Sequence, residues 1–183
     1  MRRPVVTAAA ALAGLISISL TTCVSSAGPG DVAAIKRDLV NDMNGSGNAQ
    51  DLPPDLPARQ AIVTSPGWAD RLHAVLAHFW APSILQSTTN SMVAALRHDA
   101  YDPRSPGGSN YSWTPRSWQD VSSIDGATAD VRVVAHQALG NLGGAYPTSA
   151  DSPSDQPDGQ WHITLALVDG HWLLNQIDYR SSE

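Results

Sequence analysis

The sequence predicts an α+β fold in which N-terminal helices pack on a curved antiparallel sheet. Two observations carry this prediction. Apolar residues recur at the helical period in the first half of the chain, and two Asp-Gly pairs in the second half each separate stretches of alternating character. Asp-Gly supplies the two positive-φ positions of a tight type I′ turn, so each pair predicts a β-hairpin.

The hairpin nearest the C-terminus covers residues 161–179, with Asp169-Gly170 as its turn. If these two residues form the loop, Val168 faces His171 and every earlier residue pairs with one further on. One face of the hairpin then carries the pairs Leu167/Trp172, Leu165/Leu174 and Ile163/Gln176. We expect this face to be a wall of the core.

The other hairpin covers residues 118–137, with Asp125-Gly126 as its turn. Pairing outward from that turn places on one face Ile124/Ala127, Ser122/Ala129, Asp120/Val131 and Trp118/Val133. The opposite face is wetter. Residues 140–160 are rich in Gly, Ser, Asp and Pro and predict a long loop between the two hairpins.

The helices precede these strands. Helical spacing predicts a first helix over residues 31–43, stopped by Asn44-Gly45, followed by a loop or spacer over residues 45–59. Ser65-Pro66 predicts the start of a second helix that carries an apolar stripe over residues 68–80. Pro82 either kinks this helix or separates it from another that ends near residue 99. Residues 101–115 are expected to form a loop.

The N-terminus has the features of an export signal. Arg2 and Arg3 precede an apolar run over residues 5–20, which is too short for a permanent bilayer span. Cys23, the single cysteine of the chain, follows that run in a segment similar to a bacterial lipoprotein box, although Thr22 stands where a smaller residue is usual. We expect Cys23 to carry a lipid anchor; the alternative is cleavage after Ala27, which gives a secreted protein.

These features divide the chain into a signal peptide (residues 1–22), an N-terminal helix with a Pro/Gly-rich spacer (23–60) and an α+β domain (61–183). One cysteine permits no intramolecular disulfide, so the exported fold depends on packing. The formal net charge of −6 makes nucleic acid an improbable partner.

The order of elements and the closing segment over residues 163–178 resemble the nuclear transport factor 2-like, or SnoaL-like, cone-shaped fold. The resemblance covers most of residues 65–179. It implies helices that enclose a pocket against the concave side of the sheet. Members include isomerases, cyclases, dehydratases and modules without catalysis, so the resemblance implies a fold and leaves the function open.

Polar residues on the apolar strand faces are the pocket candidates. These are Asp120, Gln176 and Asp178. A carboxylate enclosed by Trp118 and Trp161 would be partly desolvated and suited to act as a general base, as related isomerases and cyclases use one. The alternatives are ligand contact without catalysis and simple solvation at the strand ends.

Other candidates are weaker. Trp113, in a predicted loop, is a candidate exposed anchor for a ligand or partner. His136 is a candidate to pair with a carboxylate across the sheet, although a satisfied structural histidine is the favoured interpretation. The spacing of the remaining histidines predicts no zinc site, and that of Asp151, Asp155 and Asp158 lacks the pattern of a calcium loop. We expect no metal and no cofactor.

The sequence therefore favours an exported, lipid-anchored, non-catalytic module that binds a partner protein or a small apolar molecule. Its ligand contacts would be Trp118, Trp161, Gln176 and Trp113. The alternatives are a small isomerase, dehydratase or cyclase that uses Asp120 or Asp178 as base, and a component of a secretion or conjugation assembly. The wetter sheet face is a candidate homodimer surface.

Overall fold

The computed structural model describes residues 29–104, 109–141 and 158–181. In these residues four helices precede four strands. The helices are α1 (Pro29–Asn48), α2 (Leu56–Thr64), α3 (Trp68–Leu76) and α4 (Pro82–Tyr101). The strands are β1 (Ser109–Ser123), β2 (Thr128–Asn141), β3 (Gly159–Val168) and β4 (His171–Ser181), and they form one antiparallel sheet in the order β1-β2-β3-β4.

Helix α1 packs against both outer strands of the sheet, β1 and β4. In a flat sheet these strands would lie about 14 Å apart, which exceeds the roughly 10 Å diameter of a helix, so the sheet curls around α1. Asn44 joins α1 to β1, since its amide donates to the Trp113 carbonyl at 3.1 Å and its Oδ1 accepts from the Trp113 N–H at 2.8 Å. The predicted α+β class, with helices on a curved sheet, is confirmed.

The core lies between the helices and the inner face of the sheet. Every second residue of β2 and of β3 is buried there: Ala129, Val131, Val133, Trp161, Ile163 and Leu165. Ile35 and Leu39 of α1 belong to the same core. The domain boundary between residues 60 and 61 stays a prediction, but α1 contributes to the core on the far side of it.

The predicted stop of the first helix at Asn44-Gly45 is wrong, because α1 continues to Asn48. Gly45 and Gly47 have a packing role instead. A Cβ on Gly45 would overlap the Phe79 ring, and one on Gly47 would overlap the Tyr111 ring. Because these glycines have no side chain, two aromatic rings can pack directly against the helix backbone. In the sequence, glycines kept for such packing look the same as glycines that end a helix.

The predicted spacer over residues 45–59 also contains the start of α2. Asp55 caps this helix, with its side chain accepting from the Ala58 N–H. Ser65 is the C-terminal cap of α2, so the prediction that Ser65-Pro66 begins a helix is wrong. The next helix, α3, begins after Gly67. Gly67 has a φ of +69°, a left-handed conformation that glycine adopts without the steric strain that a Cβ would cause.

Pro82 begins α4, so the chain takes the second of the two predicted alternatives and has separate helices on either side of it. Between these helices Trp80 forms a parallel bridge with Leu174 of β4. No helix in the described parts of the chain is long and apolar enough to cross a membrane.

Strand β1 begins at Ser109, so the loop predicted over residues 101–115 is wrong for its second half. Trp113 lies in this strand and is 1% exposed. Its ring packs edge-on against Trp161, with the ring centroids 6.1 Å apart. The prediction of an exposed Trp113 anchor is therefore wrong.

The turn of the β3-β4 hairpin has the predicted form. Asp169 has φ +50° and Gly170 has φ +83°, and type I′ requires positive φ at both positions. The pairs Val168/His171, Leu167/Trp172 and Leu165/Leu174 are confirmed.

Beyond this point a bulge shifts the β3-β4 register by one residue. Thr164 pairs with Gln176 and Ile163 pairs with Ile177, so the predicted pair Ile163/Gln176 is wrong. Successive strand residues point to opposite faces, and one extra residue inverts all that follow. Gln176 and Asp178 therefore lie on the outer face of the sheet, away from the core.

The β1-β2 turn is wider than predicted, and β1 ends at Ser123, which pairs with Ala129. Gly126 has φ +78°, but Asp125 does not adopt the positive φ that a type I′ turn needs. The Asp125 carboxylate instead accepts from the N–H groups of Ala127 and Thr128, which holds the pKa of Asp125 below its usual value. The side chain thus fixes a broader loop.

This wider turn places Asp120 opposite Arg132, so the predicted pair Asp120/Val131 is wrong and Asp120 is exposed on the outer face. A bulge then restores the predicted pair Trp118/Val133. In both hairpins the carboxylate expected to face the core lies on the opposite side of the sheet because of one residue of register.

Candidate functional site

An open groove of about 640 Å³ lies over the start of β3 and the end of β4. Its lining is mostly polar or charged. The residues are Gln119, Arg132, Gln160, Trp161, His162, Asp178, Tyr179 and Arg180. We call it the sheet-end groove.

Strand pairing brings the charged residues of the groove into register. Arg132 of β2 pairs with His162 of β3, which pairs with Asp178 of β4, and Gln160 pairs with Arg180 in the neighbouring row. These five side chains project from the outer face because they alternate with core-facing residues along their strands. The floor of the groove is therefore a grid of polar groups about 5 Å apart across the strands.

A hydrogen bond fixes the histidine in this grid. His162 Nε2 lies 2.6 Å from Oδ2 of Asp130. Asp130 also forms a longer ion pair with Arg132, with Nε and Oδ1 3.9 Å apart. One carboxylate therefore holds both the imidazole and the guanidinium beside the groove.

The acidic residue of the groove is held from its own strand. Asp178 accepts a hydrogen bond from the Gln176 side-chain amide at 3.0 Å. Across the strands its backbone partner is His162. Asp178 thus has oxygen lone pairs left for a ligand that carries a hydrogen-bond donor.

The structure brings some of the predicted site residues together and separates others. Asp178 and Trp161 line the groove, and Gln176 contacts Asp178. Trp118 is half-buried under the Lys36 ammonium, which lies 5.0 Å from the ring centroid. Asp120 and Trp113 do not line the groove.

The sequence analysis missed the polar residues that α1 buries. Asp38 and Asp42 are each 7% exposed. Asp38 is compensated, since one of its oxygens accepts from the Trp172 backbone N–H at 3.2 Å and the other pairs with Arg37 at 2.8 Å. Asp42 Oδ2 is buried and finds no hydrogen-bond partner among the residues that the structure describes.

Burial raises the pKa of Asp42 from 3.8 to about 8, and the nearby charge of Asp38 adds to the shift. Asp42 is therefore mostly a neutral carboxylic acid at pH 7. One turn further along α1, Ser46 is also buried and accepts a 2.7 Å hydrogen bond from the Trp80 indole N–H.

A sequence signal for this buried polar stripe does exist. Asp38, Asp42 and Ser46 recur every four residues, beside the apolar stripe that contains Leu39 and Met43. Residues four apart share a helix face, so polar residues at this spacing next to an apolar stripe are candidates for burial.

The other histidines do not form a cluster. His136 Nδ1 lies 3.2 Å from Oδ1 of Asp158, so Asp158 is a carboxylate that pairs with it. His73 Nδ1 lies 3.1 Å from the Thr89 hydroxyl. Within the residues that the structure describes, no group of three or more His, Cys, Asp or Glu could hold a metal ion. Cys23, the export signal, Asp151 and Asp155 lie outside the described residues.

No family model matches the sequence, and no curated protein matches it. Among solved structures, the chain is similar to a protein from Novosphingobium aromaticivorans assigned as a scytalone dehydratase, at 14% identity and a TM-score of 0.44, covering 84% of this chain and 85% of that chain. It is also similar to a de novo designed β-sheet protein, at 14% identity and a TM-score of 0.24, covering 80% and 90%. At these values neither likeness bears on the activity, and the α+β class follows from the chain's own helices and sheet.

Proposed function

We propose that this protein is an exported, lipid-anchored module without catalytic activity that binds a small polar molecule in the sheet-end groove. The observation that carries the proposal is the groove itself. Its volume of about 640 Å³ lies within the roughly 300–1,000 Å³ range of small-molecule sites. Its charged lining favours a polar ligand over the apolar ligand that the sequence suggested.

The catalytic alternative has lost its main support. It required Asp120 or Asp178 to be desolvated among tryptophans, and both residues are exposed. The buried carboxyls are those of Asp38 and Asp42 on α1. A substrate could reach Asp42 only if α1 moved away from the sheet, so the groove is the better supported site.

The cellular location is the second part of the proposal. An acyl group on Cys23 would hold the mature chain at the outer face of the cell membrane. The support is the order of features in residues 2–23: two arginines, an apolar run and one cysteine. Roles as a homodimer or as part of a secretion or conjugation assembly stay predictions.

Ligand binding is tested by titrating a library of small polar compounds into the ¹⁵N-labelled chain and following the amide resonances. We expect hits to shift the amides of Arg132, His162 and Asp178. Gln160→Trp, which fills the groove, should abolish the shifts, while Gln86→Trp on the exposed face of α4 should leave them. Hits that cluster on the helices and survive Gln160→Trp would contradict the proposal.

The anchor is tested by growing bacteria that express the full chain with radiolabelled palmitate. We expect the wild-type protein to be labelled and Cys23→Ser to be unlabelled, because only the cysteine thiol can receive the acyl group in such a signal. Equal labelling of the two chains would contradict the assignment of Cys23. An unlabelled wild-type chain that begins after Ala27 would favour the secreted alternative.

A further inference from the structure

Two arginines line the sheet-end groove, Arg132 and Arg180, beside one lining carboxylate, that of Asp178. Two further carboxylates lie near Arg132: Asp130, which contacts His162 and Arg132, and Asp120, which stands opposite Arg132 on β1. An anion would therefore be attracted by the two guanidinium groups at short range, not by a net positive field.

The two guanidinium groups are available to a ligand. In the parts of the chain that the structure describes, no carboxylate pairs with Arg180. Arg132 has a 3.9 Å contact with Asp130, whose other oxygen is taken by His162 at 2.6 Å. A ligand anion therefore does not have to displace a short ion pair from either arginine.

The sheet places the two arginines so that they can converge. Arg132 and Arg180 are two strands and about one row apart, which corresponds to roughly 12 Å between their Cα atoms at ordinary strand spacing. Arginine side chains extended over the groove floor can meet across this distance. A guanidinium fork matches a carboxylate with two parallel hydrogen bonds.

The remaining polar groups restrict the kind of anion. Asp178 lies in the same row as Arg132 and repels a second negative charge. Its free lone pairs favour a ligand that also carries an O–H or N–H donor. The amides of Gln119 and Gln160 can donate to or accept from such a group.

We propose that the sheet-end groove binds a small organic acid with one carboxylate and a neighbouring hydrogen-bond donor, the carboxylate between Arg132 and Arg180 and the donor on Asp178. This inference rests on the proposed function and names the ligand class of the same site. The charge and fork geometry of the two arginines bind the carboxylate, and Asp178 favours acids that carry a hydrogen-bond donor over acids that lack one.

The test compares three probes by NMR titration of the full chain: glycolate, which has a carboxylate and a hydroxyl; acetate, which has the carboxylate alone; and acetamide, which is neutral. We expect glycolate to bind more tightly than acetate, and acetamide to bind least. Arg132→Gln and Arg180→Gln should each weaken glycolate binding about tenfold or more, because a charge-assisted bond is lost. The matched control is Arg97→Gln on α4, which removes an arginine that lies over the Trp68 ring of α3, and it should leave glycolate binding unchanged.

A separate variant, Asp178→Asn, tests the role of Asp178. Asp178→Asn should strengthen acetate binding by removing repulsion and should reduce the preference for glycolate over acetate. The spectrum of each variant reports whether it folds.

Equal binding of acetamide and glycolate in the groove would overturn the anionic class while leaving the groove as a ligand site. Glycolate affinity that is unchanged in both arginine variants would also overturn the inference. Groove resonances that respond to none of the probes would contradict the inference, and the compound library then tests the proposed function separately.

Discussion

The inner face of α1 and the outer face of the sheet each carry a pair of aspartates, and their environments are opposite. Asp38 and Asp42 are both buried: Asp38 accepts from the Trp172 N–H of β4, and among the described residues one oxygen of the Asp42 carboxyl has no hydrogen-bond partner. Asp120 and Asp178 are exposed beside arginine, glutamine and histidine side chains. The same side chain is a neutral acid in one region and a solvated group in the other.

The difference shows that the face on which a carboxylate lies matters more than the apolar character of its sequence neighbours. Asp178 stands between apolar or aromatic residues, as a pocket residue would, yet a bulge turns it outward. Asp42 stands between Asn41 and Met43, and the helix turns it inward. Substitutions in the two regions should therefore have unequal effects.

The largest effect is expected for Asp42→Asn. Between pH 3.8 and about 8 the unfolded chain loses the Asp42 proton while the folded chain keeps it. The wild-type free energy of unfolding should therefore fall as the pH rises through this interval and level off above it. The asparagine variant lacks this loss, so it should be more stable than wild type by up to about 4 kcal/mol at pH 7 and equally stable near pH 4.

Urea unfolding of both chains from pH 4 to pH 9 measures this difference. Asn41→Asp is the matched control, because it adds a carboxyl at the neighbouring exposed position of α1. Because this control keeps Asp42, it should show the same loss of stability with pH as wild type, and its added exposed carboxyl should contribute no further loss. A stability difference between the asparagine variant and wild type that is the same at every pH would show that folding does not raise the pKa of Asp42.

The next effect is expected for Ser46→Ala. This change removes the hydroxyl that accepts from the Trp80 indole N–H and leaves a buried donor without a partner. The cost should be about 1–3 kcal/mol of unfolding free energy. Ser83→Ala, which removes an exposed 3.0 Å contact with Asn175, should cost much less. Equal costs in urea unfolding would mean that the Ser46 contact is solvated.

Asp38→Asn should sharpen the comparison within α1. The charge of Asp38 is the second cause of the raised Asp42 pKa, after burial. Removing that charge should lower the pKa of Asp42 while leaving it above 3.8, because the burial remains. A ¹³C NMR titration of the Asp42 carboxyl measures the midpoint. A midpoint that rises would show that Asp38 acts on Asp42 by a route other than charge.

The smallest effects are expected on the outer face. Asp120→Asn and Asp178→Asn should each change the unfolding free energy by less than about 0.5 kcal/mol, as is usual for exposed positions. Thermal unfolding of the two variants beside wild type checks this. A loss of more than 1 kcal/mol for Asp120→Asn would indicate that this carboxylate faces the core, as the two-residue turn first predicted.

The candidate site was only partly predictable. Asp178 and Trp161 were identified, because they stand in the two strands that the Asp169-Gly170 turn joins. Arg132, His162 and Arg180 were missed as a cluster, because they meet only when β2, β3 and β4 pair in one particular register. Asp42 was missed because its burial depends on what packs against α1.

The sequence by itself determined that helices precede two hairpins and that the chain turns tightly at Asp169-Gly170, because propensity and turn chemistry are local. Only the tertiary structure decided the register. The carboxylate of Asp125 widened one turn, a bulge beyond Leu165 shifted the other hairpin, and each displacement inverted a strand face. Glycines that resemble a helix stop lie under aromatic rings from distant segments, and those contacts exist only in the folded chain.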